Sequence, residues 1–233
     1  MKTPYGLPII DDCIACPIVA NGAFCNLPDK SLEAWGRVRQ NATHPRGAVL
    51  FVQGQAAAGM HVICMGQVKL FSSAPDGATV IHGIYNAGNV LGAAEALLGS
   101  SYDATAESIT PCVVSFIKRD ALTALLRSDS EIAFRLTSQL SAQLTATRRQ
   151  IENQRLHRGS LERLAHFLLD YCDERLSVSM TLTHQEIGEI IGLSRETVTR
   201  GICEMKNRNI IRITGHLTAI TDRDALVRLA GDI

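Results

Sequence analysis

The sequence predicts an α+β protein laid out in three blocks along its 233 residues. Three observations carry that expectation. From Gly47 to about residue 117, the β-rich runs "GAVLFVQGQ", "MHVICMGQVKLF", "ATVIHGIYNAGNVLG" and "CVVSFI" are separated by Gly, Pro-Asp-Gly and Asn. Residues 129–157 then run without Gly or Pro, and the last quarter breaks into short helical patterns around Gly192 before a strand-like pair. Short strands with regular turn signals suggest a compact β-barrel or sandwich.

Composition bounds the reading. Hydrophobic residues make up 46% and charged residues 20%, as in soluble globular proteins, and the formal net charge is zero. No apolar run reaches the ~18–20 residues of a membrane span. "MKTPYGLPIIDDC" has no long apolar stretch or small-residue cleavage site, so no secretory signal, a cytoplasmic location and no membrane partner are expected. A reducing compartment disfavours a disulfide framework, and seven cysteines is an odd number. Three of them, Cys13, Cys16 and Cys25, crowd into "DDCIACPIVANGAFCNLP" and need another explanation.

The elements follow in order. Leu32, Trp35 and Val38 have the spacing of one short amphipathic helix. "SAPDGAT" reads as a hairpin turn, because Gly77 can take a positive φ. In the long helical block, Leu136, Leu140, Leu144, Thr147 and Ile151 step by fours and a three, a coiled-coil-like stripe. Such a helix is roughly 40–45 Å long, more than one small barrel covers, and predicts a dimer seam; packing within the chain's own core is the alternative. Arg148, Arg149 and Arg155 crowd its far end, which suits a marginal dimer.

Thr183 and Glu186 have capping-box spacing ahead of "IGEIIGL", Gly192 supplies a tight turn, and Ser194 caps the next helix. "NIIRITGHLTAIT" then reads as strand, Gly turn, strand, and "DRDALVRLAG" as a helix stopped by Gly231. That is the outline of a winged helix-turn-helix. In "SRETVTRGICEMKNR", Val198, Ile202 and Met205 share one face, whereas Glu196, Thr199 and Arg200 share another. Arg200 can bind guanine O6 and N7 while Glu196 accepts from the cytosine amino group. The bland alternative is a solvated Glu–Arg pair. Residues 155–233 carry eleven basic and eleven acidic side chains, but from Arg195 to Arg212 five basic residues face two acidic ones. Phosphate neutralisation is therefore modest and local, with Lys206 a candidate phosphate contact.

The pattern resembles the CRP/FNR transcription regulators over almost the whole chain. "GAVLFVQGQ", "VICMGQVKLF" and "PDGATVIHGIYNAGNVLG" follow that family's β-roll sensor, a cupin-like, cyclic-nucleotide-binding-like domain. "LTHQEIGEIIGLSRETVTR" resembles its helix-turn-helix and is the most specific match. The resemblance implies four regions: a cysteine-rich segment at 1–27, a β-roll sensor at 28–127, a dimerisation helix at 128–158 and a winged helix-turn-helix at 159–233. It also implies a homodimer on double-stranded DNA with an inverted-repeat site, working with RNA polymerase. Arg195, Glu196, Thr199, Arg200 and Lys206 become the DNA-contacting set. Members of the branch resembling FNR, the oxygen-responsive regulator, hold a [4Fe–4S] cluster on three N-terminal cysteines and one in the β-roll. The resemblance carries these roles to Cys13, Cys16, Cys25 and Cys112, the last a few residues after Glu107.

A cubane cluster needs four thiolates, and four cysteines also suit structural zinc. Zinc, a thiol switch or no cofactor therefore stay open at these positions. The gap between Cys16 and Cys25 is longer than in the best-known members. Cys64, in a strand, and Cys172, in a helix, read as small buried apolar residues, and His61 and His82 as structural. Cys203 lies one turn after Thr199 and so near the DNA face. No cyclic nucleotide is expected, because Tyr102, Asp103 and Ala104 stand where the family's phosphate-binding Arg-Ser pair belongs. Thr199 and Arg195 depart from the FNR-like reader, which leaves a TTGA-like half-site expected with its flanking bases open. A same-fold regulator driven by a small effector is the second reading. An enzyme is not expected: the chain has no P-loop, GxGxxG, HExxH or Ser-His-Asp pattern.

Overall fold

Pro28 and Asp29 open the first helix, α1 (Asp29–Val38), whose Leu32 and Trp35 are buried on one face as their spacing predicts. The computed structural model describes residues 5–8, 13, 16, 24–156, 159–172, 177–179, 182–214 and 217–231. Most of segment 1–27 lies outside the described residues, although Cys13, Cys16 and Cys25 are among them. The chain divides into two compact units, Met1–Leu144 and Thr145–Ile233.

In the first unit α1 is followed by β1 (Arg39–His44), β2 (Val49–Phe51), β3 (Gly59–Met65), β4 (Gln67–Ser73), β5 (Thr79–Asn86) and β6 (Val90–Leu91). Then come α2 (Ala93–Leu98), β7 (Thr105–Ser108), β8 (Cys112–Lys118), α3 (Arg119–Ser128) and the long α4 (Ser130–Leu156), whose residues from Thr145 on belong to the second unit. The strands form two antiparallel four-stranded sheets, ordered β1-β8-β3-β6 and β2-β7-β4-β5. Gly77 has φ 87° in the β4–β5 turn, as the hairpin requires.

Strand alternation sorts side chains into two cores. Ile63 on β3 and Cys112 and Val114 on β8 point into the roll, beside Phe51, Val68, Tyr102 and Ala106. Met60 and Val62 on β3 and Ile117 on β8 point outward, where Leu32, Trp35, Leu122, Leu125, Ile132 and Leu136 of the helices cover them. Asp129 caps α4, its carboxylate accepting from the Glu131 and Ile132 N–H groups at 3.1 Å and from the Ser31 hydroxyl at 2.8 Å. The start of the long helix is thereby tied to α1.

Within the roll, His61 packs among Phe51, Phe116 and Tyr102, and its Nδ1 has no hydrogen-bond partner among the described residues. Burial, reinforced by the charge of His44, lowers its pKa from 6.5 to about 4. The unfolded chain therefore takes up a proton near pH 6.5 that the folded state refuses until about pH 4. This contribution is intact above pH 6.5 and is lost as the pH falls toward 4, by roughly 3 kcal/mol at most. Denaturant unfolding at pH 7 and pH 4.5 should show the loss, and His61→Gln should shrink it. An equal loss in wild type and variant would remove His61 as its source.

The second unit holds α5 (Ser160–Tyr171), β9 (Ser177–Ser179), α6 (His184–Ile191), α7 (Arg195–Asn207), β10 (Ile211–Thr214), β11 (Leu217–Ile220) and α8 (Arg223–Ala230). The strands pair as β10-β11-β9, so the expected hairpin carries a third strand; its turn at Gly215 lies outside the described residues. The Thr183–Glu186 capping box forms, Ser194 accepts from the Thr197 N–H, and Gly231 ends α8 with φ 80°. A Cβ on Gly188 would lie 2.3 Å from the Leu193 carbonyl oxygen, so this α6 position admits only glycine without a backbone shift.

Candidate functional site

The α6–turn–α7 corner is set by Gly192, which ends α6 in the left-handed region at φ 70°, and by the Ser194 cap that starts α7. Val198, Gly201, Ile202 and Met205 are buried, which fixes the rotation of α7. Arg195, Glu196, Thr199, Arg200, Cys203 and Lys206 are all exposed. The Glu196 carboxyl is held below its ordinary value by its own backbone N–H and the Ser194 hydroxyl, with Arg195 and Arg200 adding to the effect. Arg200 donates weakly to Thr197 Oγ1 at 3.4 Å, and a partner this loosely held is readily exchanged for a base. Thr199 is more committed. Its hydroxyl donates to the Arg195 carbonyl at 2.8 Å and sits 2.9 Å from His184 Nδ1, linking α7 to α6. Lys206 and Arg212 line a shallow cleft at the base of the β10–β11 wing with Asn209, Ile211 and Thr221. The corner thus presents two guanidinium groups and a carboxylate from the first two turns of α7, with further cations at its flank.

In the first unit, Cys13 packs against the outer core that contains Trp35, Val62, Ile132 and Leu136. Its thiol is pushed up to about 11, chiefly by burial; Arg39 pulls it down, and Cys64, Cys16 and Cys25 push it up as neighbouring thiolates. Cys16 closes a turn back onto the Cys13 carbonyl at 3.4 Å. The three N-terminal thiols therefore share one neighbourhood on the outer face of the β1-β8-β3-β6 sheet.

Cys112 does not reach that neighbourhood. Its side chain points into the roll with Val114, is fully buried, and donates to the carbonyls of Thr110 at 3.1 Å and Gln67 at 3.3 Å. The period of two along β8 separates it from the outward-facing Val113, Ser115 and Ile117. As the chain stands, the fourth expected cysteine thus lies in the other core from Cys13. Cys64, read from sequence as a small apolar filler, is instead the one that faces the N-terminal thiols. Its pKa is raised by burial first, with the Ser115 hydrogen bond and Arg39 opposing and Cys16 adding. The donor type that a cluster or zinc requires is present on this face as cysteines outside any disulfide. As the side chains stand, no three His, Cys, Asp or Glu among the described residues converge closely enough to hold a metal ion.

The expected dimer stripe also divides. Leu136 is 2% exposed in the chain's own core and Leu140 packs against that core, so the first two positions are occupied within the chain. Leu144 and Ile151 are 54% and 50% exposed, Thr147 is exposed, and Phe134, absent from the predicted stripe, is 67% exposed. Arg148 and Arg149 are exposed beside them, while the side chain of Arg155 lies outside the described residues. At the expected phosphate site, Tyr102 is buried, stacks on Phe51 at 4.0 Å and donates to the Gly59 carbonyl at 2.7 Å. Cys172 is half-buried, its thiol bonded to the Leu169 carbonyl at 3.1 Å. No described helix is long and apolar enough to cross a membrane.

A sensor-type β-roll, a long helix and a winged helix-turn-helix with a polar reading face define a DNA-binding regulator. Residues 42–129 match the cyclic nucleotide-binding domain and residues 162–229 the Crp-like helix-turn-helix domain. The chain belongs to the CRP/FNR family of transcription regulators. It is 26% identical over 216 residues to the CRP-like cAMP-activated global transcriptional regulator of Mycobacterium tuberculosis, covering 90% of this chain and 96% of that one. It is 27% identical over 199 residues to the nitrogen fixation regulation protein FixK of Azorhizobium caulinodans, covering 81% and 78%. Among solved structures, FixK2 from Bradyrhizobium japonicum superposes with TM-score 0.75 at 21% identity, over 82% of this chain and 97% of that one, a likeness of fold.

Proposed function

We propose that this regulator reports oxygen, nitric oxide or redox state through a [4Fe–4S] cluster for which Cys13, Cys16 and Cys25 are N-terminal ligands. One observation carries the reading: all three thiols gather on a sheet face that also supports the start of α4, where Cys13 shares a core with Ile132 and Leu136. Arg135 of α4 donates to the Asn26 carbonyl at 3.3 Å, so the cysteine segment and the long helix are bonded as well as packed. Held by these thiols, a cluster would supply an oxidant-labile group beside the start of α4. Arg39 offsets part of the negative charge that gathered thiolates create. The output is binding of a homodimer to an inverted-repeat, TTGA-like DNA site, where it acts on RNA polymerase.

The match to a cyclic nucleotide-binding domain favours a second reading, a small effector in the roll. Against a cyclic nucleotide stand the Tyr102 ring, packed on Phe51 inside the roll, and Asp103 in place of a phosphate-binding guanidinium. Anaerobic purification decides between the readings. The cluster reading expects a broad visible absorption shoulder with iron and acid-labile sulfide in equal amounts, bleached by air. A colourless protein under strict anoxia, with zinc or no metal, would end it.

A further inference from the structure

We propose that Thr199 reads the 5-methyl group of a thymine in each half-site, and that His184 is the positioning residue that turns its γ-methyl to the groove. The inference rests on the reading in which α7 enters the major groove, and adds to it one base and one residue of α6. Thr199 is exposed among the G·C readers, three residues after Glu196 and one before Arg200. Its hydroxyl has a single proton, which goes to the Arg195 carbonyl at 2.8 Å. The 2.9 Å contact with His184 must therefore run the other way, the imidazole Nδ1–H donating to Thr199 Oγ1. A threonine on a helix ordinarily divides between two χ1 rotamers, and two bonds to one oxygen select a single one.

Both ends of that contact are held in place. His184 follows Thr183, the N-cap of α6, and Ile187 of the same helix is fully buried. The Leu193 N–H donates to the Gly188 carbonyl at 2.9 Å, which closes the turn between the helices. Buried Val198 and Ile202 fix the rotation of α7. What Thr199 has left for DNA is a methyl group, since its hydroxyl holds no proton for thymine O4, guanine O6 or a purine N7. Cys203, one turn on, is exposed and brings a small, weakly polar side chain beside it. The apolar mark in the major groove is the thymine 5-methyl. Neighbouring side chains on a helix face are about 5–6 Å apart and stacked base pairs about 3.4 Å, so this thymine lies one or two pairs from the G·C pair.

The test replaces each thymine of a half-site in turn by deoxyuridine, which lacks only the 5-methyl group. The duplex is the inverted repeat that full-length wild type selects from a random pool under anoxia. Anisotropy titrations at fixed salt compare wild type, Thr199→Ser, His184→Ala and His184→Gln, with a melting curve for each chain. Wild type is expected to lose roughly fourfold in affinity at one thymine per half-site, the worth of one buried methyl-sized group, and little at the others. Thr199→Ser, which keeps the hydroxyl, should give a flat scan. His184→Ala should shrink the contrast at that thymine, and His184→Gln, whose amide can donate, should restore it. A purely structural role for His184 would instead weaken binding to every duplex alike. A flat scan in wild type, or an equal contrast in Thr199→Ser, overturns the proposal. Contrast lost in Thr199→Ser but unchanged in His184→Ala removes His184 from it. Arg200→Ala on the same duplexes separates this reading from the docking it rests on. If that variant loses the G·C preference while the wild-type scan is flat, the docking stands and the thymine reading fails. If it keeps the preference, or wild type selects no site, the docking fails and the proposal with it.

Discussion

Arg200→Ala is expected to abolish selection of one G·C pair in each half-site while leaving the fold intact. Arg200 is exposed in the second turn of a helix whose orientation is fixed by buried Val198, Ile202 and Met205. Among the described residues its side chain makes one loose 3.4 Å contact, to exposed Thr197 Oγ1, so truncation strands no buried group. A bidentate guanine contact is worth about 1–3 kcal/mol of discrimination, roughly 5–150-fold per half-site. On a two-fold site that factor enters twice. Lys206→Ala should behave differently, weakening all sequences alike and lowering the salt slope by about one. Anisotropy titrations at matched salt, on duplexes differing only at the G·C pair, measure both effects. Unchanged base preference in Arg200→Ala would show that α7 docks in another register.

The reading corner was legible in the sequence because its determinants are local. Thr183, Glu186, Gly192 and Ser194 act within a turn of where they stand, and each does in the structure what its spacing predicts. Turn and strand signals in the roll were equally local. What escaped was set by partners far along the chain. β1, "RQNATH", has no apolar alternation because it pairs only with β8 at the margin of its sheet. β7 and β9 are four and three residues long, too short for a period to show. The thiol site depends on parity. Cys64 shares even numbering with Met60 and Val62, and Cys112 with Val114, but which parity faces out is fixed only when α1, α3 and α4 cover one side. β3 also bulges at Cys64, between its pairs Ile63 to Val114 and Met65 to Val113, and the bulge leaves no mark in composition. Leu136 fits a dimer stripe by sequence yet is buried in the chain's own core, because a helix buried against its own sheet and one buried against a second copy carry the same pattern.

Ile151→Ala is expected to shift the protein toward monomer and to weaken DNA binding steeply without removing the thiol-bound group. Once the chain's own core has taken Leu136 and Leu140, Leu144 and Ile151 are the large apolar side chains of the predicted stripe still open to a partner. Burying an isoleucine is worth roughly 2 kcal/mol beyond alanine, and in a two-fold interface each substitution counts twice. About 4 kcal/mol corresponds to roughly a thousandfold in the dimer constant. Exposed Arg148 and Arg149 lie between these residues and repel their counterparts, so the starting equilibrium is marginal. A marginal equilibrium is one that a signal can move, because a ligand shifts populations only between states a few kcal/mol apart. The same substitution leaves the thiol face untouched, since Cys13 packs near Ile132 and Leu136 at the opposite end of α4. Sedimentation under anoxia and in air should show a concentration-dependent monomer–dimer equilibrium, displaced to dimer in the metal-loaded state and to monomer in the variant. Tight dimers in all of these states would mean that the exposed stripe is not the switch, and that the thiol face acts by reorienting the DNA-reading helices within a permanent dimer.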